Sequence, residues 1–235
     1  MIIFVVFSTV VSYQIVVENA YRTSLSSTYT YTCTITTDSP LYNVTLFIPV
    51  PADSRGNSPI VERFSTHDIA GLPDDWTATL YDTGKATMVR ITTPAIVPPG
   101  RTSPKNPFTF TLSSEMKSDT VIDTREPIEN SAMFRPIRDI RQVSCPPDSS
   151  LINGTPRCSR YITSLYADYQ ASPHASVMIT SSITGKNSWK IFEPGSNEYS
   201  SSFSQLLVGE NRGWEMVNGY LQSSIGRYDV PDILP

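Results

Sequence analysis

The residues of this chain that could do chemistry are few and scattered. His67 and His174 are the only histidines, and no GxSxG, HExxH, Walker or GxGxxG pattern frames a nucleophile, a metal or a phosphate. His67 adjoins Asp68, but neighbours on a strand point to opposite faces, so the pair reads as an ordinary loop or edge histidine and not as a relay. Two carboxylates for glycoside cleavage can lie far apart in a chain, and nothing here singles out such a pair. Asp74-Asp75 and the loop at 53–58 offer oxygens of the kind calcium takes, yet neither follows the DxDxDG spacing, and turn chemistry accounts for both. There is no CxxC pair and no His/Cys ligand spacing, so a zinc site is not expected. The expectation is a protein with no catalytic activity, no cofactor and no metal.

Four other groups of residues bear on place and surface. Cys145 and Cys158 bracket a polar loop, CPPDSSLINGTPRC, whose ends can meet, and a disulfide between them is expected. Cys33 is then left over on the apolar face of a strand and reads as a buried free thiol. Asn43-Val44-Thr45 and Asn153-Gly154-Thr155 are N-glycosylation sequons; Asn43 opposes Val44 and Leu46, and Asn153 sits inside the cysteine loop, so both are expected at the surface. The three tryptophans and twelve tyrosines could build a stacking platform for sugar rings. Trp76 shares a face with Ala78 and Leu80, and Trp189 with Ile191, which suits a core. Trp214 shares its face with Met216, Asn218 and Tyr220, a mixed stripe that makes Trp214 and Tyr220 the candidate ligand-facing aromatics. Arg135, Arg138 and Arg141 cluster in RPIRDIRQ with a single Asp, and read as a solvated stretch rather than an anion site.

The elements that must position these residues are mostly strands. Residues 28–51, TYTYTCTITTDSPLYNVTLFIPVP, hold two period-two runs joined by a polar break at Asp38-Ser39-Pro40, which reads as paired strands. Tyr29, Tyr31, Cys33 and Ile35 form one face of the first run; Val44, Leu46 and Ile48 oppose Asn43, Thr45 and Phe47 in the second. Residues 60–69 read as a further short strand. A hairpin follows, turning at Asp82-Thr83-Gly84-Lys85, and then a strand, FTFTL, at 108–112. Residues 117–156 lose the alternation and read as an irregular connection. It resumes at 160–169, where the letters also allow a helix. A second hairpin is expected with Thr184-Gly185-Lys186-Asn187 as its turn, and the chain closes with strands at 201–208 and 214–227.

The overall balance narrows the class. Hydrophobic residues make up 39% and charged residues 17% of the 235, against a usual charged share of about 25%, and Ser and Thr take the polar positions. A net charge of −4 and a pI near 5.2 leave no basic stripe for nucleic acid, and no such partner is expected. Residues 1–17, MIIFVVFSTVVSYQIVV, carry no charged side chain and resemble the hydrophobic region of a signal peptide, or else a short N-terminal anchor within residues 1–20. With the cysteine pair, this points to an exported protein, extracellular or at the cell surface, touching a membrane only through that segment if it is retained.

The residues PLYNVTLFIPVPADSRGNSPIV, then LPDDWTATLYDT, then VPPG followed by FTFTL resemble the immunoglobulin-like modules of prokaryotic cell-surface proteins. In those modules a strand ending in Ile-Pro-x-Pro is followed by a Pro-Gly turn and a last strand. The style of the whole also resembles uncharacterised exported proteins of methanogenic archaea. The resemblance spans residues 27–116 and carries no catalytic residue. It implies an antiparallel β-sandwich. The expected fold is therefore all-β and Ig-like, as one extended domain or two abutting β lobes, with a first lobe at 21–116, the connection at 117–156 and a second lobe at 157–235. The expected function is a structural, assembly or adhesion role among protein neighbours or through self-association. Carbohydrate binding is the alternative, and glycoside hydrolysis a weaker one.

Overall fold

Alternating strand formers decide the architecture. The computed structural model describes residues 2–66, 68–84, 86–100, 102–146 and 155–228, with side chains from residue 12 onward; His67, Lys85 and Asn153 lie outside them. The chain is all-β and antiparallel, and its large sheet curls into a half-barrel beside a small second sheet. The strands are β1 (Ser26–Thr37), β2 (Leu41–Pro49), β3 (Pro51–Ala52), β4 (Thr77–Asp82), β5 (Thr87–Ile96), β6 (Phe108–Ser118), β7 (Met133–Phe134), β8 (Arg138–Val143), β9 (Arg157–Gln170), β10 (Ser176–Lys190), β11 (Pro194–Val208) and β12 (Asn211–Gly226). Helices are α1 (Ile2–Ser24), α2 (Val61–Ser65) and α3 (Pro127–Asn130). The large sheet runs β4-β5-β2-β9-β12-β11-β10-β1-β6, with β8 also beside β9, while β3 and β7 pair separately.

Each long strand has one buried face and one hydroxyl-rich face, because Thr, Tyr, Val and Ile suit a pleated half-buried surface and the side-chain period is two. Tyr31, Cys33, Ile35, Leu46, Ile48 and Val89 are buried on the inner side. Facing outward, Thr34 and Thr111 lie 3.3 Å apart across strands, and Thr180 and Ser204 3.0 Å; such cross-strand hydroxyl pairs contribute roughly 0.2–1 kcal/mol each.

Partner choice departs from the expectation for residues 28–51. β1 and β2 are strands, but they do not pair: β1 lies between β10 and β6, and β2 between β5 and β9. Alternation fixes the face of a strand, not its neighbour. The polar break between them is tied to β10 instead, with the Asp38 carboxylate accepting from the Ser176 N–H at 2.9 Å. The ends of β1 and β2 therefore diverge, and strands from residues 26–118 and 157–226 interleave in one sheet. The hairpin of β4 and β5 is as expected, and residues 160–169 belong to a strand with strict period-two burial. Residues 61–65 are helix α2, not strand, because Ile60 and Phe64, buried one helical turn apart, fill the core side by side.

The stretch at 117–156 is more than a connection. Its first residues complete β6, residues 119–137 then fold over the inner face, and 138–143 form β8. Ile122, Ala132, Met133 and Phe134 are at most 4% exposed. Phe134 packs edge-on against Phe203, 5.0 Å between centroids, and the Tyr199 hydroxyl donates to the Ala132 carbonyl at 2.6 Å. Burying one such phenyl ring stabilises by about 2–3 kcal/mol. Two amides secure this lid to the sheet: Asn187 donates to the Ile122 carbonyl at 2.8 Å and to Asn197 Oδ1 at 2.9 Å, and its own oxygen accepts from Ser27 and from the Ile122 N–H.

The second expected turn, 184–187, is the middle of β10. Gly185 needs no tight turn; it stands opposite Tyr199 in register, and a Cβ there would overlap the Tyr199 ring. The same pairing recurs as Gly195 opposite Trp189 and Gly219 opposite Tyr161. In each case a ring lies across the space a side chain would occupy, which lets large aromatics line a strongly curved sheet.

At the N-terminus the last turns of α1 dock on the sheet. Val17 and Tyr21 are buried, Tyr21 packs edge-on against Trp189, and Ser24 Oγ both donates to the Lys190 carbonyl at 3.0 Å and accepts from its N–H at 2.9 Å. Among the described residues no helix is long and apolar enough to cross a membrane.

Gly219→Ala is expected to lower stability by about 1–3 kcal/mol, since Tyr161 is buried and cannot swing away. Urea unfolding reads the shift, and a midpoint equal to that of the wild type would contradict the overlap of a Cβ with the Tyr161 ring. The second expectation concerns Cys33, whose thiol is fully buried and pushed up to about 12 by desolvation, a hydrogen bond with Tyr31 opposing it. Native protein at pH 8 should leave it unalkylated, and unfolding should expose one reactive thiol per chain; labelling of the folded protein would contradict its placement.

Candidate functional site

Each expected site residue has a definite place in the fold. Cys145 and Cys158 form the disulfide, with S–S at 2.05 Å. Cys158 lies on β9 where β8 adds to the sheet, Val143 opposite it, so the bridge pins the entry of β9 to the exit of β8. Asn43 is exposed at an irregularity in the pairing of β2 with β9, in the left-handed region with φ +54°, a conformation Asn tolerates better than most residues. Its amide reaches Gln170 at 3.2 Å, and the sequon is open to solvent. His174 is exposed. Asp53 spends its carboxylate on its own loop, accepting from the N–H groups of Arg55 and Asn57 at 2.8 and 2.9 Å. Partial burial raises its pKa, but those hydrogen bonds outweigh it and hold the group below the usual range. Among the described residues no three His, Cys, Asp or Glu side chains gather as a metal site.

The aromatic pair expected to share a ligand face does not act together. Trp214 is 55% exposed. Tyr220 is half-buried, and its hydroxyl is enclosed without a hydrogen-bond partner among the described residues. Six residues along β12 separate the two by about 20 Å.

Trp214 instead belongs to a row running across four strands. In register, Arg90 of β5 lies opposite Phe47 of β2, Phe47 opposite Tyr166 of β9, and Tyr166 opposite Trp214 of β12. Tyr81 of β4, 51% exposed, closes the near end against Phe47. The rings meet edge to face: Phe47 to Tyr166 at 5.5 Å and 80°, Tyr166 to Trp214 at 5.5 Å and 65°, Phe47 to Tyr81 at 5.2 Å and 69°. The Arg90 guanidinium stands 6.0 Å from the Phe47 centroid. Such edge-on pairs are worth about 0.5–1.5 kcal/mol each beyond the area they bury.

The surroundings are shallow and carry arginines. A depression of about 280 Å³ beside the row is lined by Met88, Pro136, Arg138, Ser164, Trp214 and Met216, among others. On the row's other side Arg212 reaches Asp168 at 3.9 Å, and Tyr166 donates to the same carboxylate at 3.2 Å. Desolvation and Asp168 both raise the Tyr166 pKa, so its phenol stays a neutral donor. Among the described residues neither a nucleophile with a base nor a ring of oxygen ligands faces the depression. What the arrangement offers is an apolar, aromatic, arginine-edged contact surface.

Phe47, Tyr81 and Tyr166 were not singled out from sequence, although a signal existed. All three stand out of phase with the buried set of their own strands.

Replacing both Cys145 and Cys158 with serine is expected to cost about 3 kcal/mol, as the chain-entropy model gives for a loop with a separation of 13. Intact mass with and without reductant before alkylation checks the bond itself; free thiols at both positions in native protein would contradict it.

No known family model matches the chain, and no curated protein or solved structure is significantly similar to it.

Proposed function

We propose that the protein is an exported surface or envelope protein with a structural, assembly or adhesion role and no catalysis, and that it associates through the outward aromatic row. The observation that carries this reading is the composition and shape of that face. Trp, Tyr, Phe, Met and Arg are the residues enriched in protein–protein contacts, and here Trp214, Tyr81, Phe47, Met216, Arg138 and Arg212 converge on one shallow patch of an otherwise hydroxyl-covered sheet. The arginines sit on a chain whose net charge is −4, so acidic surface on a second copy complements them. Self-association is therefore the favoured occupant, ahead of another envelope protein.

Carbohydrate binding is the weaker alternative. A sugar ring stacks on the flat face of an aromatic side chain, whereas these rings turn their edges to one another at 65–80°. The open sequon at Asn43 and the disulfide suit an extracellular setting.

Sedimentation equilibrium over about 1–500 μM, in a mild detergent that covers the exposed part of α1, tests the proposal. Wild type should show reversible self-association, and Trp214→Ala should weaken it about 30-fold, the effect of losing one central anchor of about 2 kcal/mol. A strictly monomeric wild type would overturn self-association. Glycan-array signal that disappears in Trp214→Ala would move the row to the sugar-binding reading.

A further inference from the structure

The second concentration of exposed apolar residues lies at the other end of the strands. Tyr13, Ile15, Val16 and Phe192 are each about 60% exposed or more. They stand together: Tyr13 of α1 stacks on Phe192, at the turn between β10 and β11, with centroids 6.2 Å apart and planes 14° apart. This end is far from the aromatic row. Asn197, just past the turn, pairs with Gly226, twelve residues along β12 from Trp214, or about 40 Å of strand.

We propose that this end is a membrane foot, in which α1 enters a lipid bilayer and Phe192 enters the interface beside it. Four observations favour lipid over a second copy. Residues 12–16 are all exposed, and five consecutive helical positions cover more than a full turn, so α1 leaves the sheet with no covered side. Twelve of the sixteen residues 2–17 are apolar or aromatic and the other four are uncharged, so the segment asks for an apolar medium over most of its surface, whereas packing against another helix asks for one stripe. Ten of the sixteen residues 2–17 are Ile, Val or Thr; β-branched residues are mediocre helix formers in water, but in hydrocarbon the backbone must satisfy itself and helix is favoured. Aromatic residues Tyr13, Tyr21, Trp189 and Phe192 collect where the helix meets the sheet, with Arg22 and the exposed Lys190 next to them, the composition of a membrane–water boundary.

The geometry sets reach and rigidity. Residues 2–12 contribute about 16 Å of helix axis, enough to carry the helix into the hydrocarbon of a bilayer. The Ser24 clamp to Lys190 and the buried Val17 and Tyr21 hold the helix at a fixed angle to the strands. The foot is thus part of the folded unit rather than a tether, and it points the aromatic row away from the bilayer. This proposal uses none of the residues of that row.

Flotation of the full chain with phosphatidylcholine vesicles tests it. Wild type should float without anionic lipid. Ile15→Asp and Phe192→Asp should each lower the vesicle partition coefficient about tenfold or more, as expected for putting a charge where an apolar group was buried. Both side chains are solvent-exposed in the absence of lipid, so unchanged far-UV circular dichroism is expected and is the folding control. A second measurement uses Phe192→Trp, whose added emission should be quenched by dibrominated phosphatidylcholine. Flotation lost in Ile15→Asp but kept in Phe192→Asp, with no quenching of Phe192→Trp, would reduce the foot to a helix-only tether and overturn the proposal. Failure of wild type to float would overturn it outright, and wild-type oligomers dispersed by Ile15→Asp would assign the helix to a second copy. Trp214→Ala should float like wild type, and Phe192→Asp should self-associate like wild type in detergent, so the two proposals fail separately.

Discussion

Three glycines that face aromatic rings across neighbouring strands set the shape of this protein. Gly185 with Tyr199, Gly195 with Trp189 and Gly219 with Tyr161 sit on β9 to β12, the run of long strands at the centre of the sheet. A sheet that curls tightly crowds its inner face, and bulky rings fit there only if the residue opposite brings no side chain. With the rings in place the inner face becomes deep, and it is then filled by parts of the chain that are not strands of the large sheet. Phe64 from α2 meets Tyr31, and Phe134 from β7 meets Phe203. The ring hydroxyls become the fixing points: Tyr161 bonds Ser201 at 2.7 Å, and Tyr199 bonds the Ala132 carbonyl, so polar groups that would be costly to bury are satisfied.

The outward face follows a simpler rule and is informative where that rule breaks. Along β1, β10 and β6 the outward positions are largely Thr and Ser, which cover a sheet without inviting contact. On β2, β4, β9 and β12 the same positions carry Phe47, Tyr81, Tyr166 and Trp214. These rings hold each other by edge-to-face contacts, so the patch is rigid before anything binds, and rigid aromatic anchors lose little entropy on association. The proposed foot at the other end of the strands has the same economy, since the end of α1 is already fixed to the sheet by Ser24, Val17 and Tyr21. The two proposals together assign one end of the strands to a bilayer and the aromatic flank to a neighbour.

The sequence by itself determined the local and covalent features. Period-two patterning placed the strands and their buried faces, because side-chain direction along an extended backbone depends only on position. It placed Cys33 inside and Trp76 and Trp189 in the core, it left Trp214 on a mixed stripe that patterning does not assign to either side, and loop length with polar composition was enough to bring Cys145 to Cys158. Only the tertiary structure decided which strands are neighbours. β1 and β2 look like a hairpin because proximity in sequence is the sole pairing cue a sequence offers, yet β10 and β9, more than a hundred residues away, take those places. The site depended on the same unreadable step. Phe47, Tyr166 and Trp214 form a row only because strands β2, β9 and β12 lie side by side in one register, and Tyr220, on the same face of the same strand as Trp214, falls outside it. Gly185 looked like a turn for the complementary reason: glycine marks either a bend or a missing side chain, and which one it is depends on the ring that stands across from it.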